Sequence, residues 1–397
     1  MTTTNSQPDS STTGRHIPAL DGVRGLAIVA VLICHLFWSN NDPAGGPLVR
    51  FIAQARAAGW VGVDLFFVLS GFLITGILYD TLPDRHFFKN FYARRMLRIF
   101  PLYYGFFALL FLITIPAGYH WHLTVFRYLT YTDNILFVFN GPITDVPWIN
   151  INHFWSLMVE EQFYIVWPLM VFLLQSRRRI AIAAAVGILA SFLTRLAVVH
   201  TGAEIGHFSL LTSWTPARLD SLFSGALLSM IVRSRFRERA ITAAVPIMLF
   251  SLVVIGVIWI RSSGFVPDVG TPVATWGVLM LSIGFAAFVA ASLRHGSVFQ
   301  RFTSGSILRF FGRYSYGIYV YHYTIADLIN GHLRPVVLAH SGSKFLSVLL
   351  PGLLGGMISV AVAWLSFTFY EKRFLMLKSR FHDHSRRSKL HDVIPES

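Results

Sequence analysis

The side chains best suited to chemistry in this chain sit where charge is costly, inside long apolar runs. The run IPALDGVRGLAIVAVLICHLF carries Arg24 and His35, eleven residues apart. Eleven residues of helix make three turns plus about 20°, so the two share a face, about 16 Å apart along the axis. A cation near one end and an imidazole deeper in suit one elongated channel, with the imidazole as a general base that titrates near neutrality. The plainer alternative is a His35 that only hydrogen-bonds a neighbouring helix. Cys34 points to a different face, which argues against a Cys-His nucleophile pair.

Four further runs carry candidate polar groups, three of them in apolar spans and one, FYARRMLRIFPLYY, opening in the connection at 80–98 just inside the cytoplasmic face. In GWVGVDLFFVLSGFLIT, Asp64 and Ser70 interrupt an apolar helix, while Gly62, Gly71 and Gly76 permit close helix approach. They are either site residues or packing devices. In FYARRMLRIFPLYY, Arg95 and Arg98 are three apart and share a helix face, a good fork for phosphate. A basic membrane anchor explains Arg94, Arg95 and Arg98 generally, but not that spacing. In INHFWSLMVEEQFYIVWPL, Ser156, Glu160 and Tyr164 fall at i, i+4 and i+8 on one face, and Glu161 falls on another. They make either a polar site or a helix–helix hydrogen-bond network. In TPARLDSLFSGALL, Arg218 and Asp220 lie on different faces, so each is expected to pair elsewhere in the bundle.

The elements that must position these groups are membrane helices. Of the 397 residues, 54% are hydrophobic and only 13% charged, against about 25% charged in a soluble domain. The solvent for this surface is lipid. Spans of about 20 apolar residues predict an all-α polytopic fold with about ten crossings, at 18–38, 59–79, 99–118, 152–174, 180–200, 213–232, 240–260, 271–293, 314–332 and 345–370, with eight or twelve as the alternatives where a short helix is re-entrant. With the N-terminus inside, the inner connections and tails hold 24 Lys and Arg and the outer ones 6. Basic residues accumulate in cytoplasmic loops, so the expected topology is N-in and C-in, in the inner (plasma) membrane. The same rule accounts for the net charge of +14 without nucleic acid as a partner.

Residues 1–16 read as a disordered polar tail rather than a signal peptide. Residues 17–375 read as the membrane domain and 376–397 as a basic cytoplasmic tail. The outer connection near 119–151 carries Tyr119, His120, Trp121, His122, Trp148 and His153, either an interfacial belt or rings that stack on sugars. His322 and Asp327 spell H-x4-D, but on a helix they point about 140° apart, and the match is read as chance. A single cysteine and scattered histidines give no metal-ligand cluster, so no metal is expected.

Taken together, PALDGVRGLAIVAVLICH, GVDLFFVLSGFLIT, FYARRMLRIFPLYY, FWSLMVEEQFYIVWP, ARLDSLFSGALL and SYGIYVYH resemble the acyltransferase 3 family in order and spacing, over about residues 17–375. That resemblance implies a multi-span protein that moves an acyl group, usually acetyl from acetyl-CoA, to a hydroxyl of a carbohydrate such as lipopolysaccharide, capsule or peptidoglycan, or of a macrolide. It implies that Arg24 and His35 are the family's R-x10-H pair, that Arg95 and Arg98 are its R-x-x-R element, and that Glu160 is the acid of its W-S-L-x-x-E element. The expected partners are acyl-CoA as donor substrate, a carbohydrate or glycolipid acceptor and the bilayer, with no permanently bound cofactor. The expected roles are His35 as base, with a covalent acyl-His as the alternative, Glu160 or Asp64 orienting its ring, and Arg24, Arg95 and Arg98 holding the phosphates. Some members carry an extracytoplasmic hydrolase-like domain. Here any second activity is expected from another protein. A transporter or flippase fits ten spans with buried charges equally well on physics alone, but no repeat relates two halves of the chain. A structural scaffold explains none of those charges.

Overall fold

The computed structural model describes residues 17–37, 53–136, 149–202, 210–262, 264–267 and 271–381. The expected tail at 1–16, residues 382–397 of the expected C-terminal tail, and Trp148 lie outside them.

Among the described residues, ten helices of 16 residues or more carry the fold: α1 (Pro18–Leu36), α2 (Val61–Asp80), α3 (Phe87–Thr114), α4 (Trp155–Leu174), α5 (Arg177–Thr201), α6 (Thr215–Val232), α7 (Arg237–Ser262), α8 (Val278–Leu293), α9 (Ser306–Ser341) and α10 (Lys344–Ser366). Local chemistry sets several of their ends. Proline stands in the first turn of α1 and of α6, where its missing N–H costs nothing. Ser343 caps α10 by accepting from the Leu346 N–H at 3.2 Å. Gly202 and Gly342 end α5 and α9 in the left-handed conformation.

Among the described residues, eight helices are long and apolar enough to cross a membrane. The expected spans at 213–232 and 314–332 are helical, as α6 and α9, but fall outside that set. Both carry many polar groups, and both are wrapped by other helices: α6 packs on α2 and α5, α9 on α1 and α10. The structure also moves one boundary. Arg94, Arg95 and Arg98, expected in a connection at 80–98, lie within α3, which starts at Phe87.

Packing separates lipid-facing helices from a polar-lined interior. α7 exposes Leu249, Phe250, Leu252 and Val253, as a lipid-facing helix must. α1 and α2 are buried on several sides. They approach their neighbours at backbone distance through glycine, the small-residue packing of membrane bundles. A Cβ on Gly25 of α1 would stand 1.9 Å from the Leu308 carbonyl oxygen, and one on Gly312 of α9 1.8 Å from that of Asp21. The α2–α6 crossing is built alike: a Cβ on Gly71 would meet Leu222 O at 1.9 Å, and one on Gly225 would meet Val68 O at 1.9 Å. Gly225→Ala therefore forces α2 and α6 apart and is expected to lower the thermal unfolding temperature clearly. Gly256→Ala in α7, where nothing lies within 4 Å, is expected to leave it unchanged or raise it. Equal effects of the two would contradict the close crossing.

Beyond α10, the short helices Lys372–Met376 and Leu377–Phe381 dock on α3. Tyr370 Oη donates to the Pro101 carbonyl at 3.0 Å, and the Arg94 guanidinium donates to the Phe381 carbonyl. Residues 377–381 thus form part of the bundle rather than of a free tail.

Candidate active site

Five helices, α1, α2, α3, α4 and α9, enclose a cavity of about 100 Å³. Arg24, Ser70, Arg95, Arg98, Glu160 and Tyr164 line it, each from a run singled out in the sequence. The i, i+4, i+8 reading of α4 holds, since Ser156, Glu160 and Tyr164 all face this space. Tyr164 is hydrogen-bonded to Ser70, and the Arg95 guanidinium lies over its ring, 4.9 Å from the centroid.

A second, wider cavity of about 360 Å³ adjoins the first. Arg24, Leu73, Arg95 and Arg98 line both, so the three arginines form the neck between them. The wider cavity adds Arg94 of α3 and Lys378 of the C-terminal helix. Its cations are Arg24, Arg94, Arg95, Arg98 and Lys378, against the carboxylates of Asp21 and Asp84. Both carboxylates have internal partners: Asp21 pairs with Arg24 at 3.3 Å, and Asp84 accepts from the Asn90 amide at 2.6 Å. The mouth is thus a net-positive funnel, suited to a ligand with several phosphates.

The narrow cavity is also lined by Ser156 and Tyr319. Tyr319 Oη donates to the His153 carbonyl at 2.7 Å, and its oxygen lies 2.5 Å from Ser156 Oγ. Past this pair sits a cluster of three imidazoles. His35 Nδ1 is 2.8 Å from His322 Nε2, their rings stacked with centroids 5.1 Å apart. The His153 ring lies 5.2 Å from that of His322 and stacks on Tyr323 at 5.0 Å. His153 and His322 are buried, and both His153 ring nitrogens lack a partner among the described residues. Among those residues no three of His, Cys, Asp and Glu are placed to hold a metal ion.

The structure brings together Arg24, Arg95, Arg98 and Glu160 around one cavity, and it places His35 outside both cavities, against His322. Among the described residues the His35 ring is hydrogen-bonded to His322, and Glu160 and Asp64 make no hydrogen bond to it. Asp64 is fully buried, with one oxygen 2.7 Å from Arg218 Nη2 and the other accepting from Ser221 Oγ at 2.8 Å. Arg218 also faces the rings of Trp60 and Trp155, so this group fastens α2 to α6. Asp220 pairs with Arg195 at 2.7 Å, completing the expected pairing of the α6 charges elsewhere in the bundle. Sequence reasoning missed Lys378, Tyr319 and the partnership of His322. A signal for the last two was present, since Ser315, Tyr319 and His322 recur at i, i+4 and i+7 along one face of α9.

Residues 17–368 match the family model described as acyltransferase domain, the family that the six motifs resemble. The chain belongs to the acyltransferase 3 family. Its relatives in that family include the peptidoglycan O-acetyltransferase OatA of Listeria monocytogenes, 27% identical over 90% of this chain and 55% of the relative. They also include the O-acetyltransferase OatA of Staphylococcus aureus, 26% identical over 80% of this chain and 52% of the relative. The putative peptidoglycan O-acetyltransferase YrhL of Bacillus subtilis is 28% identical over 79% of this chain and 49% of its own length. The chain thus spans about half the length of the curated relatives it matches. No solved structure matches it.

Proposed function

We propose that this acyltransferase 3 protein is a membrane O-acetyltransferase that takes acetyl from acetyl-CoA and places it on a hydroxyl of a cell-wall carbohydrate polymer. The observation that carries this reading is the junction of the two cavities through Arg24, Arg95 and Arg98. A wide cationic mouth leads into a narrow polar shaft that ends next to a histidine cluster. This shape suits a donor with phosphates at one end, a long thin arm and a thioester at the other. The relatives are named as O-acetyltransferases, two of them of peptidoglycan, which favours transfer over transport and a polymer over a macrolide. The topology that goes with it has ten crossings, with α6 and α9 as internal ones, and both termini on the cytoplasmic side, where acetyl-CoA is made.

In this mechanism Arg24, Arg95, Arg98 and Lys378 hold the CoA phosphates by charge-assisted hydrogen bonds. The pantetheine arm fills the shaft, where Glu160 accepts from its amide N–H groups. The thioester reaches the Ser156–Tyr319 end. The acceptor hydroxyl oxygen bonds to the acetyl carbonyl carbon as the C–S bond breaks. His35 takes the hydroxyl proton and returns it to the departing CoA sulfur.

The reading is tested by supplying labelled acetyl-CoA and glycan strands to membranes that contain the protein. Alkali-labile label on the glycan is the expected result. Its absence from folded protein, with every acyl donor and glycan tried, would overturn the reading. The donor site carries its own expectation. A charge-assisted hydrogen bond contributes about 1.5–3 kcal/mol, so Arg95→Ala and Lys378→Ala each raise KM for acetyl-CoA by about 10- to 100-fold, with kcat much less affected. Initial-rate kinetics check this, and an unchanged KM in both variants would remove the funnel from donor binding.

A further inference from the structure

The contact between His35 and His322 fixes where protons sit, and this determines which nitrogen of His35 acts. His322 Nδ1 lies 2.8 Å from the backbone carbonyl of Tyr319. A carbonyl only accepts, so in neutral His322 the proton is on Nδ1 and Nε2 presents a bare lone pair. That Nε2 faces His35 Nδ1 at 2.8 Å. His35 must therefore donate from Nδ1, which leaves Nε2 as its free basic nitrogen. A chain of two hydrogen bonds thus runs from a helix carbonyl to the base, and it selects one tautomer of each ring. His322 is fully buried, so its lone pair has no competing solvent. Tyr319 links the chain to the shaft, because its carbonyl holds His322 while the residue lines the narrow cavity beside Ser156.

We infer that His322 is a positioning residue that holds His35 in its Nδ1–H tautomer and shares the proton His35 gains during transfer. This rests on the reading of His35 as the base. As the acceptor hydroxyl oxygen bonds to the acetyl carbon, its proton moves to His35 Nε2, and the Nδ1 proton of His35 shifts toward His322 Nε2. Positive charge is then spread over two rings, with the His322 Nδ1–H still held by the Tyr319 carbonyl. When the C–S bond breaks, the proton on His35 Nε2 passes to the CoA sulfur and the Nδ1 proton returns. No proton is gained or lost over the cycle. The arrangement assigns to a neutral imidazole the orienting task that a carboxylate performs in a hydrolase triad.

Two substitutions of similar length separate this role from simple filling of space. Gln in place of His322 presents a side-chain oxygen where Nε2 was, and Met presents no comparable acceptor. His322→Met is expected to lower kcat by about 100-fold, an effect within the range of proton-transfer catalysis, with KM for acetyl-CoA within about twofold of wild type. His322→Gln is expected to recover most of that loss. Equal impairment of both would assign His322 to packing alone and overturn the inference. So would a His322→Met enzyme with wild-type kcat beside an inactive His35→Ala. Wild-type turnover in His35→Ala would instead overturn the underlying reading of the base. A further measurement needs no variant of His322: in unsubstituted protein carrying 15N-histidine, the His35 resonances are expected to show a proton on Nδ1 and none on Nε2. The reverse pattern would overturn the inference even where both His322 variants fail to fold.

Discussion

His35→Ala is expected to lower acetyl transfer by about 10²- to 10⁴-fold, the span that loss of a general base produces, while binding of acetyl-CoA is unchanged. The separation follows from the geometry. The cations that would hold the donor line the wide cavity and the neck, whereas His35 lines neither cavity and lies against His322 and Tyr323. Removing the imidazole takes nothing from the cationic lining of the wide cavity. It leaves His322 Nε2 without its donor, which costs about 1–3 kcal/mol of stability when a buried group loses its partner. The variant should therefore insert, fold and bind donor, with a modestly lower unfolding temperature. Turnover kinetics and donor binding on the same preparation check both halves. Turnover within about threefold of wild type would remove His35 from the chemistry.

Asp64→Ala is expected to act on the fold rather than on the chemistry. Asp64 and Arg218 are 0% and 1% exposed and pair at 2.7 Å. Deleting one partner of such a pair strands the other charge, at a cost of about 3–5 kcal/mol. Arg218 has little to fall back on, since its Nε and Nη1 lack partners among the described residues and its other neighbours are the Trp60 and Trp155 rings. A large drop in unfolding temperature and in membrane yield should follow. The double variant Asp64→Leu/Arg218→Met removes both charges and is expected to recover most of the loss, as apolar replacements of buried pairs often do. Thermal unfolding of wild type, single and double variants decides the matter. Full stability with lost turnover in Asp64→Ala would return Asp64 to the site residues.

Much of the site was legible because charge inside an apolar helix is costly and needs a reason. Arg24 and Glu160 stand out in sequence for that cause, Arg95 and Arg98 for their spacing, and one cavity joins all four. The same signal is less specific at Asp64, which the structure pairs with Arg218. A buried carboxylate looks alike whether it orients a base or ties two helices, and its partner Arg218 lies 154 residues away. His322 was passed over because its pairing with Asp327 was weighed on helix geometry alone. Its true partner, His35, is 287 residues distant and is brought near by the crossing of α1 and α9 at Gly25 and Gly312. Lys378 was assigned to a tail, since no local pattern says that residues 377–381 fold back onto α3. The span count was drawn from hydropathy, which fits the helices that face lipid. It fits poorly the two that other helices surround, α6 and α9, where polar groups find protein partners.

The proposed transfer requires one path through the protein from the cationic mouth to the histidine cluster. Sealed vesicles with glycan strands inside and labelled acetyl-CoA outside test it most directly, with the protein oriented so that Arg94, Arg95 and Lys378 face the donor. The account predicts alkali-labile acetate on the enclosed glycan, CoA released outside, and loss of both in His35→Ala. Acetylated glycan formed only when donor and glycan share one side, or enclosed product that persists in His35→Ala, would contradict it.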